Sequence, residues 1–335
     1  MIRLAVVGTG YWGKNIVRAF SNTQPTALYA CCDADQDRLQ QIKTSYPGIQ
    51  AYTSYDTLLQ DTKVDGIAIA TPSPTHFMLA RQALGSGKHV YVEKPMTMTA
   101  SESSELIELA SRHDRILMVG HLMIYHPAIQ KLKVIIDSGE LGDIFYVYTQ
   151  RLNLGIIREN ENAWWSLAPH DISIILYLLG GAPFRISVNG QGYLRSHVQD
   201  VVFADLQFED GRMAQIHVSW LDPHKMRKLT VVGSRKMVVF DDMEPIEKLK
   251  IYDKGVEAKL GYESYGDALT LRQGDIYIPN VTMEEPLKRE CQHFVHCVIN
   301  GHKPETDGEN GLAVVKILEA GQQSLDSSGA VVDIL

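Results

Sequence analysis

Along the first third of the chain, short unbroken apolar runs alternate with stretches of helical periodicity. Ile2–Val7, Ala27–Cys32, Asp65–Ala70, His89–Val92 and Ile116–Val119 read as strands. Apolar runs without inside/outside alternation are what strands covered on both faces require. Between them Gly13–Phe20, Asp35–Ser45, Thr75–Leu84 and Ser101–His113 read as helices. Strand and helix in strict succession build βαβ units around a parallel sheet.

The pattern changes after Gly120. Pro127–Asp137 reads as one more helix, ended by Ser138-Gly139. Phe145–Leu152, Arg185–Tyr193, Val201–Phe208, Met213–Ser219, Lys228–Val232 and Lys236–Asp241 then read as strands, with turn pairs such as Asp210-Gly211 and Gly233-Ser234 between them. That predicts an open, largely antiparallel sheet. An apolar helix, Asp171–Leu179, is inserted after the first of these strands and ends at Gly180-Gly181. Pro286–Ile299 and Gly311–Ser324 read as two further helices, and the polar, glycine-containing residues 254–275 as a mobile loop. The expected fold class is α/β: a doubly wound parallel sheet over residues 1–121, then an α/β domain over 122–335 whose last helix packs back on the first.

A length of 335 residues suits two such domains. With 32 Lys and Arg against 40 Asp and Glu, the formal charge of −8 argues against general nucleic-acid binding, which needs basic stripes to neutralise phosphates. It leaves room for an anionic small substrate in a locally basic pocket. No apolar run reaches the ~18 residues of a membrane span, and the N-terminus enters a strand without a signal-peptide layout. Cys31, Cys32, Cys291 and Cys297 show no framework spacing. A cytoplasmic protein with reduced thiols is the expectation.

Gly8-Thr9-Gly10-Tyr11-Trp12-Gly13 matches G-x-G-x-x-G between a strand and a helix. In that context the first glycine permits the tight turn, the second lets the backbone approach a diphosphate, and the third lets helix and strand pack closely. Amides at the helix start then face the phosphates. Asp33 closes the second strand 20 residues after Gly13, where a carboxylate accepts from a ribose 2′-OH. The same carboxylate repels a 2′-phosphate, so NAD is expected over NADP. Arg38, one helical turn on, is placed to stack on adenine or to bind that phosphate.

Thr71-Pro72-Ser73-Pro74-Thr75-His76 and Glu93-Lys94-Pro95 end the third and fourth of these strands at the edge where open α/β sheets bind ligands. Pro95 biases Lys94 toward extended backbone. Buried beside a nicotinamide, Lys94 loses proton affinity, because desolvation disfavours the ammonium form; as a solvated surface lysine it does nothing.

These segments, with the Ala168-Pro169-His170-Asp171 helix start, Gly120-His121, Gly139-Glu140-Leu141-Gly142 and Thr306-Asp307-Gly308-Glu309-Asn310-Gly311, resemble the glucose–fructose oxidoreductase, inositol dehydrogenase and rhizopine-catabolism family, Gfo/Idh/MocA. The resemblance spans nearly the whole chain. It implies a Rossmann domain, a second domain whose open sheet builds homodimers or homotetramers and walls the substrate cleft, and NAD chemistry at a CH–OH group. It carries cofactor binding onto Gly8, Gly10, Tyr11, Trp12, Gly13, Asp33, Arg38, Thr71, Pro72, His76, Glu93 and Lys94, and catalysis onto Lys94 and His170. The family often has Asp-x-x-x-His where this chain has Ser166 and His170, a departure that bears on how the imidazole is tuned.

Tyr125-His126-Pro127-Ala128, Arg151-Leu152-Asn153-Leu154-Gly155 and Trp165–Asp171 are similar to the nucleotide-sugar branch, the UDP-N-acetylglucosamine 3-dehydrogenases, which make a 3-keto sugar for an aminotransferase. Lys94, Tyr125, Arg151, Asn153, Trp165 and His170 are the substrate-binding candidates. For Tyr125, Trp164 and Trp165 core packing is an equal alternative, and His170 has a plain reading under the two tryptophans. Lys225, Arg227, Lys228, Arg158 and Arg272 are either solvated cations or a wall for a diphosphate. His293, His296, Cys291 and Cys297 share one helix but not one face, so no metal site is expected. Free polyol oxidation, as by an inositol 2-dehydrogenase, reduction of a 3-keto nucleotide sugar, and a non-catalytic NAD sensor remain the alternatives.

Overall fold

The computed structural model describes residues 2–155, 157, 161–258 and 269–334. In chain order the elements are β1 (Ile2–Val7), α1 (Gly13–Ser21), β2 (Thr26–Cys32), α2 (Gln36–Ser45), β3 (Gln50–Tyr52), α3 (Tyr55–Gln60), β4 (Gly66–Ile69), α4 (His76–Gly85), β5 (His89–Glu93), α5 (Ala100–Arg112) and β6 (Leu117–Gly120). There follow α6 (Pro127–Asp137), β7 (Ile144–Leu152), α7 (Ala163–Leu179), β8 (Arg185–Gln191), β9 (Val201–Gln207), β10 (Met213–Ser219), β11 (Met226–Gly233), β12 (Met237–Asp241), β13 (Leu249–Ala258) and β14 (Leu269–Tyr277). Last come α8 (Pro286–Asn300), α9 (Gly308–Asp326) and β15 (Val332–Asp333). The chain divides into one compact unit of Met1–Tyr125 with Glu284–Glu319, and a second of His126–Met283 with Ala320–Leu335.

The first unit is built on a parallel sheet of order β3-β2-β1-β4-β5-β6. That is the dinucleotide-binding order, which reverses direction between β1 and β4. Its apolar runs are buried as the pattern requires: Ala5, Val7, Ile67, Ile69, Val90, Val92 and Val119 form one core with Leu84 and Leu106 of the covering helices. Helix starts are set by side-chain caps. Asp35 Oδ1 accepts the Asp37 and Arg38 amides at 3.0 and 3.2 Å, and Thr99 Oγ1 accepts the Glu102 amide at 3.2 Å. Beyond β6, the Val119 amide donates to the Thr306 carbonyl at 2.7 Å, tying the segment before α9 to this sheet. The hydrophobic pattern does not reveal β3 or α3, because three half-exposed residues and six mostly polar ones carry no periodic signal.

The second unit is a nine-stranded sheet of order β14-β13-β12-β11-β7-β10-β9-β8-β15. Among the described residues only the β7–β10 pairing of this sheet is parallel. Helix α7 packs across β7, β9 and β10. Alternation is clean: Val202, Ala204, Leu206, Ala214, Ile216 and Val218 are buried, while Tyr146, Phe203 and Met213 on the other face are exposed. Among the described residues no helix is long and apolar enough to cross a membrane.

Two expectations are corrected. Helix α7 does not start at residues 168–171. It starts at Ala163, where Asn162 Oδ1 accepts the Trp165 amide at 3.1 Å, and it carries Pro169 inside it. An interior proline costs about 3 kcal/mol in an exposed helix. Here nearly the whole helix is buried, and that packing outweighs the lost bond. Residues 254–275 are not one loop either: β13 runs to residue 258 and β14 begins at 269, paired antiparallel through Gly255 and Arg272. Their polar, exposed composition hides them from a search for apolar alternation. Residues 259–268 of that expected loop, and Arg158, lie outside the described residues.

Candidate active site

The glycine loop joins β1 to α1. Gly8 adopts φ +86°, and a Cβ there would lie 2.8 Å from the Ala70 carbonyl oxygen. A Cβ on Gly13 would fall 1.8 Å from the Gly8 carbonyl oxygen, so nothing larger fits between loop and helix. A Cβ on Gly10 would meet only Arg38 Nη1, at 3.4 Å, which leaves that backbone open to a diphosphate. Trp12, the N-cap of α1, makes no side-chain cap bond; the Lys14 amide donates to the Gly10 carbonyl at 3.3 Å and the Asn15 and Ile16 amides to the Trp12 carbonyl at 2.8 and 3.4 Å, so what the helix start offers an anion is its positive dipole end. The cradle therefore fits a dinucleotide.

At the end of β2 Asp33 is fixed from several sides. Its Oδ2 accepts the Thr9 amide at 2.6 Å and the Thr9 hydroxyl at 2.9 Å, and its Oδ1 accepts the Asp35 amide at 3.0 Å. Burial works to raise this carboxyl, but those donors and the Arg38 charge outweigh it and hold it below the usual aspartate range. Arg38 leans over the loop, Nε 3.1 Å from Asp35 and Nη1 4.0 Å from Asp33. Tyr11 is exposed, its ring under the Lys14 ammonium at 5.7 Å.

The other two loops of this edge are tied together by His76, buried at the start of α4. One ring nitrogen lies 2.8 Å from the Pro95 carbonyl and the other 2.9 Å from the Thr71 carbonyl. Burial, with the nearby Lys94 charge, lowers its proton affinity. Thr71 Oγ1 lies 2.7 Å from Thr75 Oγ1, and the Pro72 carbonyl accepts from the Thr75 amide and hydroxyl at 2.9 and 2.7 Å. Pro72 and Thr71 thus shape the turn that His76 anchors.

Glu93, the last residue of β5, is buried and receives the Trp12 indole N–H at 2.7 Å. Lys94 follows it across a cis peptide to Pro95. His121, one residue past the Gly120 that pairs with Glu93, is buried and is pushed down to about 3 by burial and then by Lys94.

Tyr125 belongs to this unit's interior: its hydroxyl lies 3.0 Å from Thr306 Oγ1 and its ring 5.3 Å from that of His293. His293 and Cys297 meet at 3.4 Å, but the imidazole Nε2 also accepts the Glu305 amide at 3.0 Å. Among the described residues no three acidic, His or Cys side chains are gathered for a metal.

In the second unit His170 sits within α7, half-buried, its carbonyl accepting from Ser173 at 2.9 Å. Ser166, one turn earlier, is buried. Trp165 is nearly buried and donates its indole N–H to Gln322 at 3.1 Å, while Trp164 is fully buried against Gly321. Arg151 is buried with its guanidinium engaged by both oxygens of Asp171, at 2.7 and 3.2 Å. Burial pushes the Asp171 carboxyl up, and Arg151 opposes it. Asn153 is half-buried, its amide donating to the Ser219 carbonyl at 3.2 Å and its side chain folded over Gly155.

Arg227 and Lys228 meet Asp242 and Asp241 at 3.4 and 3.1 Å, and Arg272 pairs with Asp253. Asp242 also faces His126 at 3.4 Å. Burial works to raise this carboxyl, yet His126, Lys248 and Arg227 hold it well below the aspartate range.

Sequence reading missed Thr9, Tyr91, Glu290 and the His126–Asp242 pair. Thr9 lies inside the glycine motif and could have been found there. The other partners are set by long-range packing that leaves no local signature.

A dinucleotide cradle on a parallel sheet of this order, followed by a domain with an open sheet, places the chain in the Rossmann class. Residues 2–121 match the model of the oxidoreductase family with an NAD-binding Rossmann fold, and residues 129–239 match the Gfo/Idh/MocA C-terminal domain. The chain belongs to the Gfo/Idh/MocA family, and its first unit is an NAD-binding domain. It is 28% identical to the uncharacterized oxidoreductase YdgJ of Escherichia coli, over 96% of each chain. It is 24% identical to the UDP-N-acetylglucosamine 3-dehydrogenase of Acidithiobacillus ferrooxidans, over 94% of each. A solved structure of the Acidithiobacillus ferrooxidans enzyme superposes with a TM-score of 0.82 over 98% of each chain, at 22% identity.

Proposed function

We propose that this oxidoreductase oxidises a secondary hydroxyl of a nucleotide sugar, converting UDP-N-acetylglucosamine to its 3-keto form with NAD. The observation that carries the reading is the 2.7 Å bond from the Trp12 indole to Glu93. It fastens the dinucleotide loop to the residue before Lys94, so the lysine leaves β5 beside the cofactor cradle. Bound NAD supplies the hydride acceptor at its nicotinamide C4.

Lys94 and His170 handle the proton. One takes it from the hydroxyl as the C–H bond breaks and the carbonyl forms; the other hydrogen-bonds the oxygen as its charge develops. His170 is half-buried and has Ser166 rather than a carboxylate one turn earlier. Asn153 and Trp165 belong to the proposed substrate surface. Arg151 supports it through Asp171, and Tyr125 supports the first unit from within. The relative with 24% identity over nearly all of both chains supports the nucleotide-sugar class.

The exposed Tyr146, Phe203 and Met213 on the uncovered sheet face support a homo-oligomer, for which light scattering of the purified chain is the check.

The functional test presents UDP-N-acetylglucosamine, its uronic acid and free inositol to the protein with NAD, and reads the keto product by mass spectrometry. Oxidation of the first alone is expected. Oxidation of inositol alone replaces the substrate class, and NAD binding with no product from any sugar points to a sensor.

A further inference from the structure

Behind Glu93 lies a second carboxyl with no part in the proposed chemistry. Glu290, on α8, is fully buried. Its Oε2 lies 3.0 Å from the Tyr91 hydroxyl, which lies 3.1 Å from Glu93 Oε1. Its Oε1 meets no hydrogen-bond partner among the described residues. Around this point the rings of Phe20, Tyr91 and Phe294 pack edge to face at 5.9 to 6.1 Å. Two carboxylates in so apolar a place repel and lack solvation, so one of them keeps a proton.

The hydrogen bonds say which. The Tyr91 hydroxyl has one proton and two carboxyl neighbours. The Trp12 indole can only donate, and it donates to Glu93. Lys94 adds positive charge on the same side. Among the described residues the Tyr91 hydroxyl is the one hydrogen-bond partner of Glu290, and no cation acts on its carboxyl. We propose that Glu290 is a neutral carboxylic acid that donates to Tyr91, which donates to an anionic Glu93, so that the chain Glu290–Tyr91–Glu93–Trp12 keeps a negative charge beside Lys94 and clamps the glycine loop. Glu290 and Tyr91 are thereby positioning residues, acting through Glu93.

Burial drives both carboxyls toward the neutral acid and leaves both raised, Glu290 well above its ordinary range. At Glu93 the Trp12 bond, the Lys94 charge and the Tyr91 bond oppose it, whereas at Glu290 the Glu93 charge reinforces it and Tyr91 alone opposes. Among the described residues the ionisable groups facing this chain are Lys94, itself facing His76 and His121; Cys291, which also faces Glu285 and Arg18; and Tyr125, which faces Glu290. The consequence for turnover rests on the function proposed above; the proton's location does not.

Infrared difference spectra of the full chain, wild type minus Glu290→Gln, decide it. A neutral carboxylic-acid carbonyl band in that difference supports the proposal. Its absence places the proton elsewhere and overturns it. A second measurement reads the pH–rate profile. Glu93→Gln removes the anion and is expected to move the limb governed by Lys94 down by about one pH unit or more, whereas Glu290→Gln leaves that limb in place; the reverse pattern overturns the proposal. Tyr91→Phe is expected to weaken NAD about two- to tenfold, the worth of one hydrogen bond. If Lys94→Ala kept full turnover, the catalytic reading would fail while the infrared result still stood.

Discussion

Thr9 and Asp33 are joined twice: the Thr9 amide and hydroxyl both donate to Asp33 Oδ2, at 2.6 and 2.9 Å. The glycine loop thus holds the carboxylate proposed to read the ribose, and the carboxylate holds the loop. Asp33→Ala removes both effects and releases Arg38 from its 4.0 Å neighbour. NAD affinity should fall by about tenfold or more, as for loss of a charged hydrogen-bond acceptor, and the preference over NADP should shrink. Fluorescence titration with both cofactors checks this; an unchanged ratio removes the argument from that carboxylate.

Gly13→Ala puts a methyl where the Gly8 carbonyl oxygen lies only 1.8 Å away. No rotamer relieves a backbone clash, so loop and helix must part. Loss of measurable NAD binding is expected, with destabilisation of about 1–3 kcal/mol. Calorimetric titration together with urea unfolding separates the two effects.

Glycine spacing and Asp33 were legible because each is dictated locally: a turn, a close approach and a strand end. The parallel order β3-β2-β1-β4-β5-β6 was legible as βαβ alternation, apart from the short β3. What could not be read were pairings chosen by tertiary packing. Nothing near Arg151 or Tyr125 in the sequence announces that Asp171 engages the guanidinium or that Thr306 meets the phenol. A helix read over Asp171–Leu179 falls short of α7 because local pattern knows nothing of the burial that lets the helix run through Pro169.

Arg151 and Asp171 form a buried two-point ion pair. Asp171→Ala leaves an unpaired guanidinium in the interior and should destabilise the chain by about 3–5 kcal/mol. Replacing both residues with apolar ones of similar volume should restore much of that loss. Denaturation midpoints of the single and double variants test this.

Two histidines make stability sensitive to mild acid. His89 accepts the Ile116 amide at 3.1 Å and is pushed down to about 4 by burial and Arg115. His121 is pushed down to about 3 by burial and Lys94. Both fold as neutral rings with proton affinities below the unfolded value near 6.5. Their contribution is therefore fully present above about pH 6.5 and is lost as pH falls toward 4 for His89 and 3 for His121, at most about 1.4 kcal/mol per pH unit each. Unfolding midpoints at a series of pH values should fall across this window, and His89→Gln should flatten the upper part of it.

The central claim is that Lys94 and His170 move a hydroxyl proton while hydride leaves a sugar carbon. The most direct measurement is a single turnover of UDP-N-acetylglucosamine deuterated at C3 with NAD, reading label in the reduced cofactor by mass spectrometry. Wild type should transfer the deuterium. Lys94→Ala and His170→Ala should still bind NAD and transfer the deuterium about 10²–10⁴-fold more slowly. No label in the wild-type cofactor, or transfer at the wild-type rate by either variant, would contradict the account.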